Sequence, residues 1–171
     1  FHGTQMASIA SSATNNGKGT ASIGYNTRLA LASGSSFMNG LLVLSQLPGV
    51  KVVNCSWGVS CFPITNHQLV IQEITKSGVL IVASAGNGPG HGCGDGHGYQ
   101  YPASYDEVLS VTSLGNRYSI GYHHNLISPI NNQVYGDRSW MDVHLLKPHD
   151  PNNTSSHTHN DKVNVSAPGH L

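Results

Sequence analysis

The chain has 171 residues, with 8 Lys plus Arg against 8 Asp plus Glu, so its formal net charge is zero and only 9% of residues are charged. The basic residues are scattered, which argues against nucleic acid or an anionic membrane surface as partner, because both need clustered cations. No apolar run approaches the roughly 18 residues of a membrane span, while the length suffices for one domain with a core.

Taken in chain order, residues 4–13 (TQMASIASSA) predict a helix stopped by Asn15-Asn16-Gly17. Its small side chains predict deep packing, and His2 at its start is a candidate proton acceptor, though taken alone such a residue is more commonly a plain surface histidine. Residues 28–32 (RLALA) predict a short strand. Residues 35–46 (SSFMNGLLVLSQ) predict a helix opened by Ser and ended before Pro48-Gly49. A β-branched strand follows at 51–55 (KVVNC). In 64–77 the apolar positions Ile64, Leu69, Val70, Ile71 and Ile74 form a helical stripe, with Gly78 suited to a left-handed cap.

Residues 79–84 (VLIVAS) are almost continuously apolar between glycines, predicting a strand buried on both faces, as in a parallel sheet. Residues 108–113 (VLSVTS) and 163–167 (VNVSA) predict further strands. Between them, 115–160 is polar and aromatic with weak periodicity, predicting a long loop or small hairpins. Strands alternating with helices give an α/β class, a doubly wound, mostly parallel sheet. Such sheets place chemistry at the carboxyl ends of strands, here after Asn54, Ser84 and Ser113.

Two of these exits carry candidate chemistry. In Ser84-Ala85-Gly86-Asn87-Gly88 the glycines allow a sharp turn that presents the Asn87 amide as a donor to a developing oxyanion; the plain alternative is an Asn-Gly turn. In Asn54-Cys55-Ser56-Trp57-Gly58 the segment after the strand can offer backbone groups to an extended peptide, or is simply a strand exit.

The ordered series HGT-x-M-A-S, NNGKGTASIG, VVNCSWG, GVLIVASAGNG, YPASYDEVLSVTSLG and VNVSAPG resembles the subtilisin-like (S8) serine peptidases along the chain, apart from 115–160. The resemblance implies His2 as general base and Asn87 as oxyanion donor of a Ser-His-Asp peptidase. It implies that Ser56, Trp57 and Gly58, with Ala83, Ser84, Ala85 and Gly86, line the substrate cleft and its P1 pocket. Tyr101-Pro102-Ala103 matches a loop before the next strand, and Ala167-Pro168-Gly169 the turn before the nucleophile segment. The family's Asp motif would precede Phe1 and its G-T-S-M-A motif would follow Leu171. Residues 1–171 are therefore expected to be one partial domain, incomplete at both termini, inactive alone and poorly soluble.

Departures are Gln5 for a second His, Ser8 for a Gly, and Asn26-Thr27 for Ala-Pro. The implied enzyme acts on polypeptides, is secreted to the extracellular space or the cell surface, is monomeric, and requires no cofactor. The family often holds structural calcium, and Asn15 and Asn16 lie in a loop like one such site, but without carboxylates. Cys55 is expected as a buried thiol. Cys61 and Cys93 lie just past neighbouring strand ends, so a Cys61–Cys93 disulfide is expected, with free thiols as the alternative. His91, Cys93 and His97 share one Gly-rich loop and His157 and His159 another, at spacings that fit no familiar zinc site; no metal is assigned.

Two other readings stand beside the peptidase. One is a catalytically dead subtilisin-like domain serving as a binding or scaffold module. The other is a dinucleotide-binding domain, disfavoured because the glycines of 86–98 fall at every second position and never complete G-x-G-x-x-G.

Overall fold

The protein is described by a computed structural model over residues 1–33, 36–88, 93, 97–116, 140–142, 158 and 160–170. In chain order the elements are α1 (His2–Ser11), α2 (Phe37–Ser45), β1 (Val52–Cys55), α3 (Thr65–Lys76), β2 (Leu80–Ser84), β3 (Val108–Asn116), β4 (Trp140–Asp142) and β5 (Val165–His170). The fold is α/β. Strands β1, β2, β3 and β5 form a parallel sheet in that order, and β4 joins the far end of β3 antiparallel.

Local chemistry explains the element bounds. Ser36 caps α2, its hydroxyl accepting from the Asn39 amide at 3.4 Å. Gly49, at φ +87°, then turns the chain towards β1. α3 ends at Lys76, and Gly78, also at φ +87°, reverses the chain into β2. At its other end α3 has no side-chain cap from its own N-cap residue, Ile64. The Tyr105 hydroxyl does that work from a distance: it accepts from the Ile64 amide at 2.9 Å and donates to the Ile64 carbonyl at 3.0 Å.

The core lies between one sheet face and the helix pair. Met38 and Leu41 of α2 and Ile71 and Ile74 of α3 pack with Val53, Cys55, Ile81, Ala83 and Val108. These are alternate strand positions, as a period of two requires. On the opposite face Val52 is 55% exposed and Leu80 44% exposed. The expectation of a strand buried on both faces at 79–84 is thus corrected: both helices pack on the same face, and on the other Leu80 and Ser84 are exposed and Val82 only half-buried. The proline of β5, Pro168, pairs with Leu114 in a strand that has β3 as its only partner among the described residues, an edge position where a missing N–H is tolerated.

Two further expectations change. Residues 28–32 are not a strand; Leu29 and Leu31 are exposed and no neighbouring strand among the described residues offers them a ladder. Helix α1 forms but buries no residue, so the predicted deep packing is absent among the described residues. Its bonds run to the following loop instead. Ile23 and Gly24 amides donate to the Ile9 and Ala10 carbonyls at 3.0 and 3.2 Å, satisfying groups that a helix end leaves open. The Ser22 hydroxyl donates to the Ser12 carbonyl at 2.8 Å, and Thr27 donates to the Ser11 hydroxyl at 2.7 Å. Most of the 115–160 segment lies outside the described residues; the described part comprises the end of β3, β4, which is paired to Leu114–Asn116, and the single residues Thr158 and Asn160.

Candidate active site

The parallel register of β1 and β2, with Cys55 opposite Ala83, brings two chain exits side by side at the carboxyl ends of the strands. From β1 the chain continues as Ser56-Trp57-Gly58, and from β2 as Ala85-Gly86-Asn87-Gly88. This is where a parallel sheet presents its loops to a ligand. The Asn54 side-chain amide donates to the Ser56 hydroxyl at 2.8 Å, and the Trp57 ring stacks on Phe37 of α2 with centroids 4.9 Å apart. Gly58 is exposed and makes no backbone hydrogen bond among the described residues.

The second exit is a turn built on two glycines. Gly86 sits at φ +123° and Gly88 at φ +76°, both in the region that side chains avoid. Asn87 between them is exposed, and Ala85 ahead of them is tied to β3, its amide donating to the Val111 carbonyl at 2.9 Å. A Cβ at Gly86 would stand 2.5 Å from Gln100 Oε1 and 2.7 Å from Thr158 Oγ1. A Cβ at Gly58 would collide with the Gln100 side chain as well. Gln100 therefore lies against both exits, in the space between them.

Past Gln100 the same two segments are joined again. Ser60 and Tyr101 form an antiparallel bridge, with Val59 donating to Tyr101 and Tyr101 to Ser60, each at 2.9 Å. Cys61 and Cys93 form a disulfide, with S–S 2.10 Å and Cα atoms 5.1 Å apart. Cys93 is consumed by that bond and is not available as a thiolate ligand; His91, His157 and His159 lie outside the described residues.

The calcium expectation meets a poor donor set. The Asn16 carboxamide oxygen already accepts from the Lys18 amide at 3.0 Å, the loop contains no carboxylate, and Lys18 adds a cation of its own. Residues 12–20 do not fit a calcium site.

His2 is the first residue of α1, exposed, with Phe1 as a helix N-cap that offers no side-chain bond. Among the described residues no hydrogen bond, ion pair or ring contact joins α1 to the Asn87 turn. The structure thus assembles Ser56, Trp57, Gly58, Ala83, Ser84, Ala85, Gly86 and Asn87 at one sheet end, while His2 stands in a separate helix-and-loop unit. Two residues touching the turn, Gln100 and Thr158, are absent from the sequence reading. Thr158 is 70 positions from Gly88, and no spacing or periodicity announces such a contact.

The sequence profile of the subtilase family matches residues 1–171. The chain belongs to the subtilase family. Its relatives include a thermophilic serine proteinase of Bacillus sp. (strain AK1), 33% identical over 119 residues, which are 64% of this chain and 28% of that protein. The alkaline elastase YaB of Bacillus sp. (strain YaB) is 34% identical over 119 residues, 64% of this chain and 29% of that protein. This subtilase chain therefore spans under a third of the length of either relative. Among solved structures it is similar to a psychrophilic subtilisin-like protease of the Antarctic psychrotroph Pseudoalteromonas sp. AS-11. The TM-score there is 0.47 at 27% identity, over 79% of this chain and 22% of that one.

Proposed function

We propose that this chain is part of a serine endopeptidase in which His2 is the general base and Asn87 the oxyanion donor. The nucleophilic serine and the orienting carboxylate are supplied from outside residues 1–171. The observation that carries the reading is the Asn87 turn: an exposed carboxamide held between two positive-φ glycines, at the end of a parallel strand, beside a second exit with an open Gly58.

In the reaction, the serine oxygen attacks the scissile carbonyl carbon and its proton passes to the His2 imidazole. The carbonyl oxygen takes up the negative charge, and the Asn87 side-chain N–H donates to it. Collapse of the tetrahedral intermediate breaks the C–N bond, and His2 returns the proton to the leaving amine. Water then hydrolyses the acyl-enzyme by the same proton path. Ser56-Trp57-Gly58 receives the polypeptide as an added strand, and Ala83–Gly86 forms the facing wall of the P1 pocket. The disulfide between Cys61 and Cys93 suits an extracellular location, where thiols oxidise.

The test is peptide hydrolysis by the full-length gene product and two variants. His2→Ala is expected to abolish measurable turnover, on the order of a 10⁶-fold loss. Asn87→Ala is expected to lower kcat by roughly 100- to 1,000-fold, a loss measured on subtilisin, itself a member of this family. Unchanged turnover in His2→Ala removes the base assignment. No peptidase activity in the wild type favours the scaffold reading.

A further inference from the structure

Asn87 is useful only if its carboxamide points in one direction, and the turn that carries it cannot fix that direction alone. Both neighbours are glycines at positive φ, the residue type with the most backbone freedom. The direction must come from bonds that reach the turn from outside. Upstream, the Ala85 amide is held by Val111 of β3. At the turn itself the described bonds come from one residue. The Thr158 amide donates to the Gly86 carbonyl at 3.0 Å, and the Gly88 amide donates to Thr158 Oγ1 at 3.0 Å. Thr158 thus grips the backbone on both sides of Asn87.

The grip is built rather than incidental. Thr158 is 6% exposed and Gly88 is buried, so water is a poor substitute for either bond. The Thr158 carbonyl accepts from the Thr112 hydroxyl at 2.7 Å, and Thr112, on β3, is itself buried. β3 therefore anchors the clamp as well as the strand before the turn. The missing side chain at Gly86 is what lets Thr158 approach. A β-branched side chain also holds its hydroxyl in few rotamers.

We propose that Thr158 is a positioning residue for the oxyanion donor: its amide and hydroxyl set the Asn87 turn, and it never touches substrate. The proposal rests on the reading of Asn87 given above, and the test separates the two. The full-length gene product is assayed as wild type, Thr158→Val, Thr158→Ser, Asn87→Ala and Asn87→Ala with Thr158→Val. Valine keeps the shape and removes the acceptor; serine keeps the acceptor. A misplacement of the donor acts on the transition state, so Thr158→Val should lower kcat by about 10- to 100-fold and leave KM within about twofold. Thr158→Ser should stay within about threefold of wild type, and Thr158→Val should cost nothing further once Asn87 is alanine.

Equal losses from Thr158→Val in both backgrounds overturn the proposal and leave Asn87 as the donor. An unchanged kcat in Thr158→Val overturns it as well. An unchanged kcat in Asn87→Ala overturns the donor reading and the proposal with it. Should Thr158→Val fail to fold, amide exchange in the wild type decides: a Gly88 N–H that exchanges like an open loop overturns the clamp, and protection shared with the core supports it.

Discussion

Cys55 closes β1 with its side chain 1% exposed, and burial pushes its pKa from the usual 9.0 up to about 12. The charged form is what burial penalises, so the thiol is inert at neutral pH. It should stay unmodified by iodoacetamide in the native protein and react once denatured, as read by peptide mass. A stability effect follows with a definite sign. The unfolded thiol ionises near pH 9 and the folded one near pH 12, so the unfolded state loses its proton first. The stability Cys55 contributes is complete below about pH 9 and is lost as the pH climbs towards 12. Urea denaturation at about pH 8 and about pH 10.5 should show this fall in wild type and a smaller one in Cys55→Ala. A like fall in both proteins rules out Cys55 as its source. Cys55 as a buried thiol was legible because a cysteine in a β-branched strand is a small hydrophobe. Thr158 was not, because its partners are brought to it by the fold.

At the scale of elements, the helices follow local chemistry closely and the strands depend on neighbours. Ser36 and Gly78 mark helix ends by their own side chain or lack of one. Helix α3 is the exception, since its first turn is held by Tyr105, 41 residues away. Burial raises the pKa of that phenol, as expected for a hydroxyl kept neutral in the core. Tyr105→Phe should destabilise the fold by about 1 kcal/mol, because Ile64 lies near solvent and water can replace part of the lost bonding. A denaturation midpoint equal to wild type would show that α3 needs no such cap. The 28–32 segment makes the converse case: its alternation reads as a strand, yet without a ladder partner it stays irregular with Leu29 and Leu31 exposed. Likewise β2 reads as apolar throughout, but only the face towards α2 and α3 is buried.

At the scale of the molecule, the loop after β2 is returned to the sheet at several points. The disulfide ties Cys93 to Cys61, 32 positions away. Asn160 donates to the Gly98 carbonyl at 3.0 Å, and Tyr99 donates to Asp161 at 2.8 Å. Lys162 and Asp106 add an exposed ion pair at 2.6 Å, of small energetic weight. Closing a loop of this length by a covalent bond restricts the unfolded chain most, so replacing both cysteines by serine should cost about 2–4 kcal/mol. The comparison is a thermal melt of the double variant under oxidising conditions. A melting temperature unchanged from wild type would mean the hydrogen bonds alone hold the loop.

What the sequence determined by itself is the order and type of most elements, the family, and the residues at the two strand ends. Those depend on side-chain periodicity, glycine conformations and contiguous motifs, all of which are local. Only the tertiary structure decided which strand face is buried, that 28–32 goes unpaired, and that Gln100, Tyr105 and Thr158 serve segments far along the chain. Such contacts arise from packing between elements, and a one-dimensional pattern carries no record of which distant residue will occupy the space beside a glycine that has no side chain.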